Sequence, residues 1–380
     1  MHLTLHLTTA CNMRCRYCYS APPDKGMDMD EGIIDQCIRF ATQHFTDNVG
    51  IIFFGGEPLL KKDLIKYTVA RCKSIEEKET IKRIFHFKVT TNGTLLDADF
   101  LQFCKESHMG IGLSIDGTPK AHNSNRCFSD GSGSFSLVEP KLKHITTSQP
   151  YANAFMVVTP QNVKEYPASV EYLNRKGFRY LIASLNYGTE WKERDLAALE
   201  RAYHQLAKIY KRWTLEEKRF YFSPFEMKLA THIRGNEDHC YGCKFGYRQI
   251  SIAPDGKIYP CVQFVKDGYS NTDFSIGDIW KGFNEKRVSL FQDSEKEKES
   301  CRQCPITSRC YHTCSCLNWQ TTGTITEVSP LLCRTEKMLV PIVDALGAEL
   351  YELRAPMFIQ KHYNVAYPLL SMLQDEASRL

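Results

Sequence analysis

The chain has 380 residues, of which 43% are hydrophobic and 24% are charged, and its formal net charge is +4. This composition is typical of a globular protein of two or three domains, and Lys and Arg are spread without a basic run that would favour nucleic acid. No apolar run approaches the ~20 residues of a membrane-spanning helix, and the N-terminus lacks an export signal. We therefore expect a cytoplasmic protein with no nucleic-acid or membrane partner.

Strand-like and helix-like patterns alternate through the first half of the chain. Residues 3–9 alternate Leu with Thr and His, residues 31–45 place apolar side chains on one helical face, and residues 96–106 form a helix pattern with an acidic cap. Such alternation indicates parallel strands joined by right-handed crossovers. Six units are two fewer than a closed barrel contains, so we predict an α/β fold with a partial (β/α)6 TIM-like barrel. The six predicted strands cover residues 3–9, 50–54, 85–91, 110–116, 153–159 and 179–186.

The strand–helix pattern ends near residue 215, and a turn-rich region with most of the cysteines follows. The stretch TEKMLVPIVDALGAELYELR near the C-terminus is typical of a helix. We therefore predict three parts: a barrel over 1–215, a cysteine-rich domain over 216–340 and a C-terminal helical cap over 341–380.

Sixteen cysteines without an export signal argue against a disulfide framework, since thiols in a reducing compartment stay free or bind metal. Cys11, Cys15 and Cys18 are spaced C-x3-C-x2-C directly after the first predicted strand. Three thiolates leave one iron of a four-iron cluster without a protein ligand, and such an iron can bind and help to reduce a small molecule. For this loop alone, a three-thiolate zinc site is the alternative.

Further motifs stand at successive strand ends: GGEP at 55–58, TTNG at 90–93 and LSIDG at 113–117, with HNSNR close behind. Together with the cysteine loop, they resemble the radical S-adenosylmethionine (SAM) superfamily. In that family SAM chelates the open iron and is cleaved to methionine and a 5′-deoxyadenosyl radical. The resemblance implies SAM contacts at the amino group (Gly55, Gly56, Glu57), the ribose (Ser114, Asp116), the carboxylate (Arg126) and the adenine (Tyr17), with Asn92 in the third motif.

The later cysteines follow a second pattern. Cys243 and Cys261 flank Gly256 as C-x12-G-x4-C, and a run C-x2-C-x5-C-x3-C leads to a last cysteine at 333. This pattern resembles the SPASM domain of radical SAM enzymes that modify peptides and proteins. The resemblance implies two auxiliary four-iron clusters, whereas zinc is the alternative for residues 301–314 taken alone. The implied distal ligands are Cys301, Cys304, Cys310 and Cys333; the proximal ligands are Cys243, Cys261 and Cys314, with Cys240 as the expected fourth and Cys316 as an alternative.

The other cysteines carry weaker expectations. Cys37, Cys72 and Cys104 fall in helical patterns and are expected to be core thiols. Cys127 follows Arg126 and is a candidate substrate contact. The sequence predicts no individual catalytic residue.

Two subfamilies compete for the function. Peptide maturases cross-link ribosomally synthesised precursor peptides, often as cysteine thioethers, whereas anaerobic sulfatase maturases oxidise a cysteine or serine to formylglycine. The latter carry an aspartate base immediately after the cysteine equivalent to Cys261, where this chain has Val262 and Gln263. Valine cannot accept a proton, so we expect a thioether-forming maturase, with formylglycine formation or peptide epimerisation as alternatives.

The implied cofactors are SAM and three [4Fe–4S] clusters. The expected partners are a precursor peptide and an electron donor such as ferredoxin or flavodoxin. Only ten residues precede Cys11, so recognition of the precursor is expected to rely on a separate leader-binding protein or on the surface of the enzyme. An iron–sulfur electron carrier or a zinc module is the non-enzyme alternative, but neither has a use for the GGEP and LSIDG motifs.

Overall fold

The computed structural model describes residues 1–20, 26–78, 83–235, 249–265, 273–294 and 298–377, and the strands in these ranges form one sheet. Cys240 and Cys243 lie outside the described residues. The strands are β1 (His2–Thr8), β2 (Val49–Gly55), β3 (Phe85–Thr91), β4 (Gly110–Ser114), β5 (Asn153–Val158), β6 (Tyr180–Leu185), β7 (Tyr221–Phe222), β8 (Gln249–Ile252), β9 (Lys257–Tyr259), β10 (Gly277–Asp278) and β11 (Gly282–Phe283).

The order of the sheet confirms the predicted barrel. Strands β1 to β7 are adjacent in chain order, and each pairs with the next in parallel. The first six are the predicted strands, and the two-residue β7 extends them by one. On the other side of β1 lies β8, which is also parallel to it, with His2 opposite Gln249 and Leu5 opposite Ile252. Strands β9, β10 and β11 continue the sheet as antiparallel neighbours, so the cysteine-rich region is joined to the barrel through β8.

Helices cover the outside of the barrel, and the last described helix ends at Ala377. The α-helices are α1 (Glu31–His44), α2 (Lys62–Lys78), α3 (Ala98–Glu106), α4 (Pro119–Asn123), α5 (Phe135–Val138), α6 (Leu142–Ser148), α7 (Tyr166–Arg175), α8 (Glu193–Leu215), α9 (Ser223–Arg234), α10 (Glu285–Ser294), α11 (Ser315–Thr322), α12 (Pro330–Glu352), α13 (Pro356–Tyr363) and α14 (Tyr367–Ala377). None of the helices in the described ranges combines the length and the apolar character that a membrane crossing requires.

Helix α12 connects the predicted parts of the chain. It packs against α8 and α9 and runs without a break through residue 340, where the cysteine-rich domain was expected to end. Its start follows from local chemistry, because the Ser329 side chain accepts a hydrogen bond from the Leu332 N–H and Pro330 occupies the first turn. The expected domain boundaries themselves stay predictions.

The apolar core lies between the sheet and its surrounding helices. Leu3, Leu5 and Leu7 of β1 are fully buried in it, whereas the alternate residue Thr4 lines a cavity inside the barrel. The expected acidic cap of α3 is confirmed, since Asp97 accepts a hydrogen bond from the Phe100 N–H at 2.8 Å. Three cysteines are buried in this core, as predicted: Cys37, Cys72 and Cys104.

Candidate functional site

The carboxyl ends of the strands open into a cavity of about 1480 Å³. This is the edge of a parallel barrel at which catalytic groups are normally found. The wall of the cavity brings together the thiols of the N-terminal loop and two thiols of the cysteine-rich region. The sequence-predicted residues in the wall are Cys11, Cys15, Tyr17, Cys18, Gly55, Gly56, Glu57, Asn92, Ser114, Arg126 and Cys314.

The N-terminal cysteine loop is fastened to the segment after α4. The Arg14 N–H donates to the Cys127 carbonyl and the Arg16 N–H to the Asn125 carbonyl, both at 2.8 Å. The Cys127 thiol in turn donates to the Arg14 carbonyl at 3.2 Å. Cys127 is buried and is not part of the cavity wall, so it holds the loop in place, and its expected role as a substrate contact is not supported by this geometry.

The thiols of the loop suit a metal cluster. Burial raises the pKa of Cys11 to about 12 and that of Cys15 to about 11. At neutral pH these thiols therefore stay protonated unless a positively charged group such as an iron cluster stabilises the thiolates. Among the described residues, no three His, Cys, Asp or Glu side chains are placed to share a single metal ion. Cysteines that bind different irons of one cluster need no such common point.

The GGEP turn brings backbone close to the cysteine loop. The Gly56 N–H donates to the Thr8 carbonyl at 2.8 Å, and a Cβ on Gly56 would lie 2.1 Å from the Ala10 carbonyl oxygen. Only glycine fits there. Gly55 has a φ of +135°, which also favours glycine. The prediction that these residues lie beside the SAM amino group stays a prediction.

Both carboxylate oxygens of Glu57 accept hydrogen bonds from other groups of the protein. Its Oε1 accepts hydrogen bonds from the Leu59 N–H at 3.0 Å and the Thr91 hydroxyl at 2.6 Å, and its Oε2 accepts from the Asn92 N–H at 2.8 Å. Burial raises the pKa of Glu57, and these donors oppose the shift. The carboxylate thus ties the end of β2 to the end of β3.

Asn92 links the third strand end to the cysteine loop. Its amide donates to the Asn12 side chain at 2.9 Å, and its oxygen accepts from the Thr94 N–H at 2.9 Å. Asn12 stands next to Cys11 and also donates to the Thr94 hydroxyl at 2.8 Å. The TTNG turn therefore fixes the start of the cysteine loop.

Asp116 does not line the cavity. Its side chain is fully buried behind Arg126, with the Arg126 Nε at 3.1 Å from Oδ2 and the Nη2 donating to Oδ1 at 3.2 Å. The Tyr17 hydroxyl donates to Oδ2 at 3.0 Å, and the Val157 N–H donates to Oδ1 at 2.9 Å. Burial raises the pKa of Asp116, and the nearby guanidinium opposes that shift. The carboxylate is therefore occupied by protein donors, while Arg126 and Ser114 face the cavity.

Two groups of thiols are seen among the described cysteines of the cysteine-rich region. The Cys314 and Cys316 sulfurs are 3.4 Å apart, and Cys316 also forms a hydrogen bond with Cys261. Tyr19 lies within electrostatic range of Cys18 and of Cys261 and Cys316. Of the expected distal ligands, Cys310 interacts with Cys301, and the Cys304 N–H donates to the Cys301 carbonyl at 3.0 Å.

A buried ion pair near the distal set was not expected from the sequence. Lys228 of α9 and Glu336 of α12 are 2% and 6% exposed, and their Nζ and Oε2 atoms lie 2.6 Å apart. Lys228 also donates to the Arg309 carbonyl at 2.5 Å and lies 4.3 Å from the centre of the Tyr311 ring. Both charged residues line the cavity. Burial raises the pKa of Glu336, and Lys228 opposes the shift.

The position that follows Cys261 carries no acid. Val262 and Gln263 both line the cavity, and Gln263 accepts a hydrogen bond from the Gln320 amide. Among the described residues, the carboxylates in the cavity wall are Glu57 and Glu336. In the described part of the wall, no carboxylate therefore lies directly after Cys261, where sulfatase maturases carry an aspartate base.

Two family models match the chain. Residues 5–173 match the radical SAM superfamily, and residues 243–305 match SPASM, an iron–sulfur cluster-binding domain. A cysteine-type anaerobic sulfatase-maturating enzyme of Clostridium perfringens is 25% identical over 325 residues, which are 81% of this chain and 86% of that protein.

Solved structures share the fold. Native anSMEcpe with bound AdoMet superposes with a TM-score of 0.75 at 21% identity, covering 92% of this chain and 99% of that one. Streptococcus suis SuiB bound to its precursor peptide SuiA gives a TM-score of 0.59 at 16% identity, with 87% and 75% covered.

Proposed function

We propose that this chain, a radical SAM enzyme that carries a SPASM domain, modifies a peptide by forming a cysteine thioether cross-link. When bound, SAM and the three iron–sulfur clusters supply the hydrogen-abstracting radical and the electron transfer. The cross-link, the peptide substrate and the assignment of ligands to each cluster are parts of the proposal.

The observation that carries the proposal is the shared cavity. Arg126 and Ser114 of the expected SAM site and Cys314 and Cys316 of the cysteine-rich region line the same space. A thioether requires that a carbon and a thiol of one peptide be held together, and a cavity of about 1480 Å³ has room for a peptide segment. Buried tyrosines in its wall, among them Tyr166 and Tyr203, help to exclude water.

The residues after Cys261 favour the thioether over formylglycine. Oxidation of a cysteine or serine side chain to an aldehyde needs a group that accepts a proton near the reacting carbon. Val262 has no such group, and the amide of Gln263 is not a base at neutral pH. A thioether also releases the proton of a thiol, and a thiol loses it far more readily than a serine hydroxyl does, so this comparison counts against serine oxidation.

The test uses the anaerobically reconstituted enzyme with SAM, a reductant and the short peptide encoded beside its gene. Mass spectrometry should show a product that has lost two hydrogens and a cysteine that resists alkylation. An unchanged mass with an inverted α-carbon would identify an epimerase instead. We propose ferredoxin or flavodoxin as the physiological donor, a separate leader-binding protein as a further partner, and the cytoplasm as the location.

Formylglycine formation is the second candidate. It is favoured by the similarity to the Clostridium perfringens sulfatase-maturating enzyme, which extends over 81% of this chain. A sulfatase-derived peptide with cysteine at the modified position, and its serine counterpart, distinguish the two. An aldehyde on either peptide, detected by hydrazide labelling, would place formylglycine formation above thioether formation. If neither peptide reacts, the preference for a thioether is supported.

A further inference from the structure

We infer that Cys316 is a ligand of the proximal auxiliary cluster, together with Cys261 and Cys314. The family pattern that matches the sequence ends its run of four at Cys314, and the sequence alone leaves Cys316 only as an alternative ligand. The inference concerns a cofactor site and does not depend on which peptide the enzyme modifies.

The geometry of the three thiols carries the inference. The Cys314 and Cys316 sulfurs are 3.4 Å apart, and Cys316 also forms a hydrogen bond with Cys261. Cys314 is the N-cap of α11 and Cys316 lies in its first turn, while Cys261 follows β9. Two separate segments therefore bring three thiols to one place, and Cys314 and Cys316 face the cavity there.

Cys316 differs from the cysteines of the core. Cys37 and Cys72 are buried among apolar side chains and do not line the cavity, and Cys104 has the Met109 sulfur as its neighbour at 3.9 Å. Cys316 is 7% exposed, but its neighbours are two thiols. Thiolates are soft ligands that select iron–sulfur clusters, and a set of three supplies most of the ligands that a four-iron cluster needs.

The neighbouring groups are consistent with a bound cluster. Tyr19 lies within electrostatic range both of Cys261 and Cys316 and of Cys18 in the N-terminal loop, so the two thiol sets are near each other. Asn318 of α11 donates to the His312 carbonyl at 2.9 Å, and the Ser315 hydroxyl pairs with that of Ser294 at 2.5 Å. These buried bonds fix the first turn of α11, which carries Cys316.

The experiment compares Cys316→Ala and Cys316→Ser with Cys37→Ala and Cys37→Ser, all as anaerobically reconstituted full-length enzymes. Iron and sulfide are measured per chain, and EPR spectra are recorded before and after reduction with dithionite. Wild type should hold ~12 irons, from three four-iron clusters. Cys316→Ala should hold ~8 irons or show the signal of a three-iron cluster, whereas both Cys37 variants should match wild type.

The serine variant separates the loss of an iron ligand from a loss of folding. Serine has nearly the size of cysteine, and its oxygen can bind iron, so Cys316→Ser should keep more iron than Cys316→Ala but show a changed EPR spectrum. SAM cleavage to 5′-deoxyadenosine, which needs the N-terminal cluster, reports that the barrel is intact. Wild-type EPR spectra in Cys316→Ser would overturn the inference. A Cys314–Cys316 disulfide in the mass spectrum of the loaded wild-type enzyme would overturn it as well.

Discussion

The two buried ion pairs beside the cavity differ in how the chain forms them. Asp116 and Arg126 are 10 residues apart in the chain, on either side of α4, and the pair is completed by Tyr17 and the Val157 N–H. Lys228 and Glu336 come from distant helices, and among the described residues Lys228 is the cation within ion-pair distance of Glu336. The first pair is set by the barrel alone, whereas the second exists only when α12 docks on α9.

This difference makes the second pair the more vulnerable of the two. A buried carboxylate with several donors keeps part of its stabilisation when one donor is lost, but a carboxylate with one cation becomes an uncompensated buried charge. We therefore expect the Lys228–Glu336 pair to control the stability of the protein. We expect the Asp116–Arg126 pair to control SAM binding, because Arg126 lines the cavity. The four experiments below compare the two regions, from the largest expected effect to the smallest.

Lys228→Met should destabilise the protein by about 3–5 kcal/mol, because it leaves Glu336 buried without its partner. The double variant Lys228→Met/Glu336→Leu should recover much of this loss, since an apolar pair of similar size needs no compensation. Denaturant unfolding of the loaded enzyme measures both. The control is Lys120→Met in the exposed Lys120–Glu165 pair, which should cost about 0–1 kcal/mol. A double variant no more stable than the single one would contradict our account of the pair.

Asp116→Asn should lower SAM affinity at least tenfold, since a lost charge-assisted hydrogen bond costs roughly 1.5–3 kcal/mol. Iron content should be unchanged. We expect the effect to act through Arg126, so Asp116→Asn should add little in an Arg126→Ala background when binding is measured by calorimetry. Fully additive effects would instead indicate a direct contact of Asp116 with the ribose, as the sequence alone suggested.

The free energy of unfolding should fall in acid through one buried histidine in the barrel and one in the C-terminal helices. Burial lowers the pKa of His122 in the barrel to about 3 and that of His362 in α13 to about 4, from 6.5. Protons then bind the unfolded chain better, so the stability from each neutral histidine is complete above pH 6.5 and falls as the pH is lowered towards those values. At one pH unit below 6.5, the loss is about 1.4 kcal/mol per histidine.

His122→Gln and His362→Gln should each remove that part of the pH dependence. The measurement is denaturant unfolding at pH 7.5 and pH 5.5, with the difference compared between wild type and each variant. If the difference is the same in wild type and variant, that histidine binds its proton equally well in the folded and the unfolded chain, and burial does not lower its pKa.

Tyr17→Phe should have the smallest effect, because it removes one neutral donor from Asp116 and leaves the Arg126 and Val157 donors in place. The loss of about 0.5–1.5 kcal/mol corresponds to roughly a two- to tenfold weaker binding of SAM. Tyr19→Phe is the matched control, since Tyr19 directly follows Cys18 in the chain and also lines the cavity, but forms no hydrogen bond with Asp116 in the described structure. Equal losses in both variants would mean that the hydroxyl of Tyr17 has no particular role.

Local patterns allowed the barrel and its motifs to be predicted. The six strands, the acidic cap at Asp97 and the core thiols follow from periodicity and capping, which act over a few residues. The two-residue β7 is too short to give a pattern. The start of α12 at Pro330 was signalled by Ser329 before it, although the predicted helix began later.

Contacts between distant segments could not be predicted. Nothing in the sequence pairs Lys228 with Glu336, because their approach depends on how α9 and α12 pack. The motif correctly placed Asp116 at a strand end, but it did not reveal that Arg126 would cover the carboxylate. The sequence suggested Cys316 only as an alternative ligand, because it is two residues from Cys314. Its contact with Cys261 is visible only in the folded chain.

The pairing of β1 with β8 has a consequence for synthesis on the ribosome. Strand β1 is made first, and β2 covers one of its edges early, but the partner of its other edge begins only at Gln249. At ~5–20 residues per second, that edge waits roughly 12–50 s for its partner. During this time the open edge can pair with the edge of another chain. A chaperone that covers the edge, or a low expression level that keeps nascent chains apart, should therefore improve the yield.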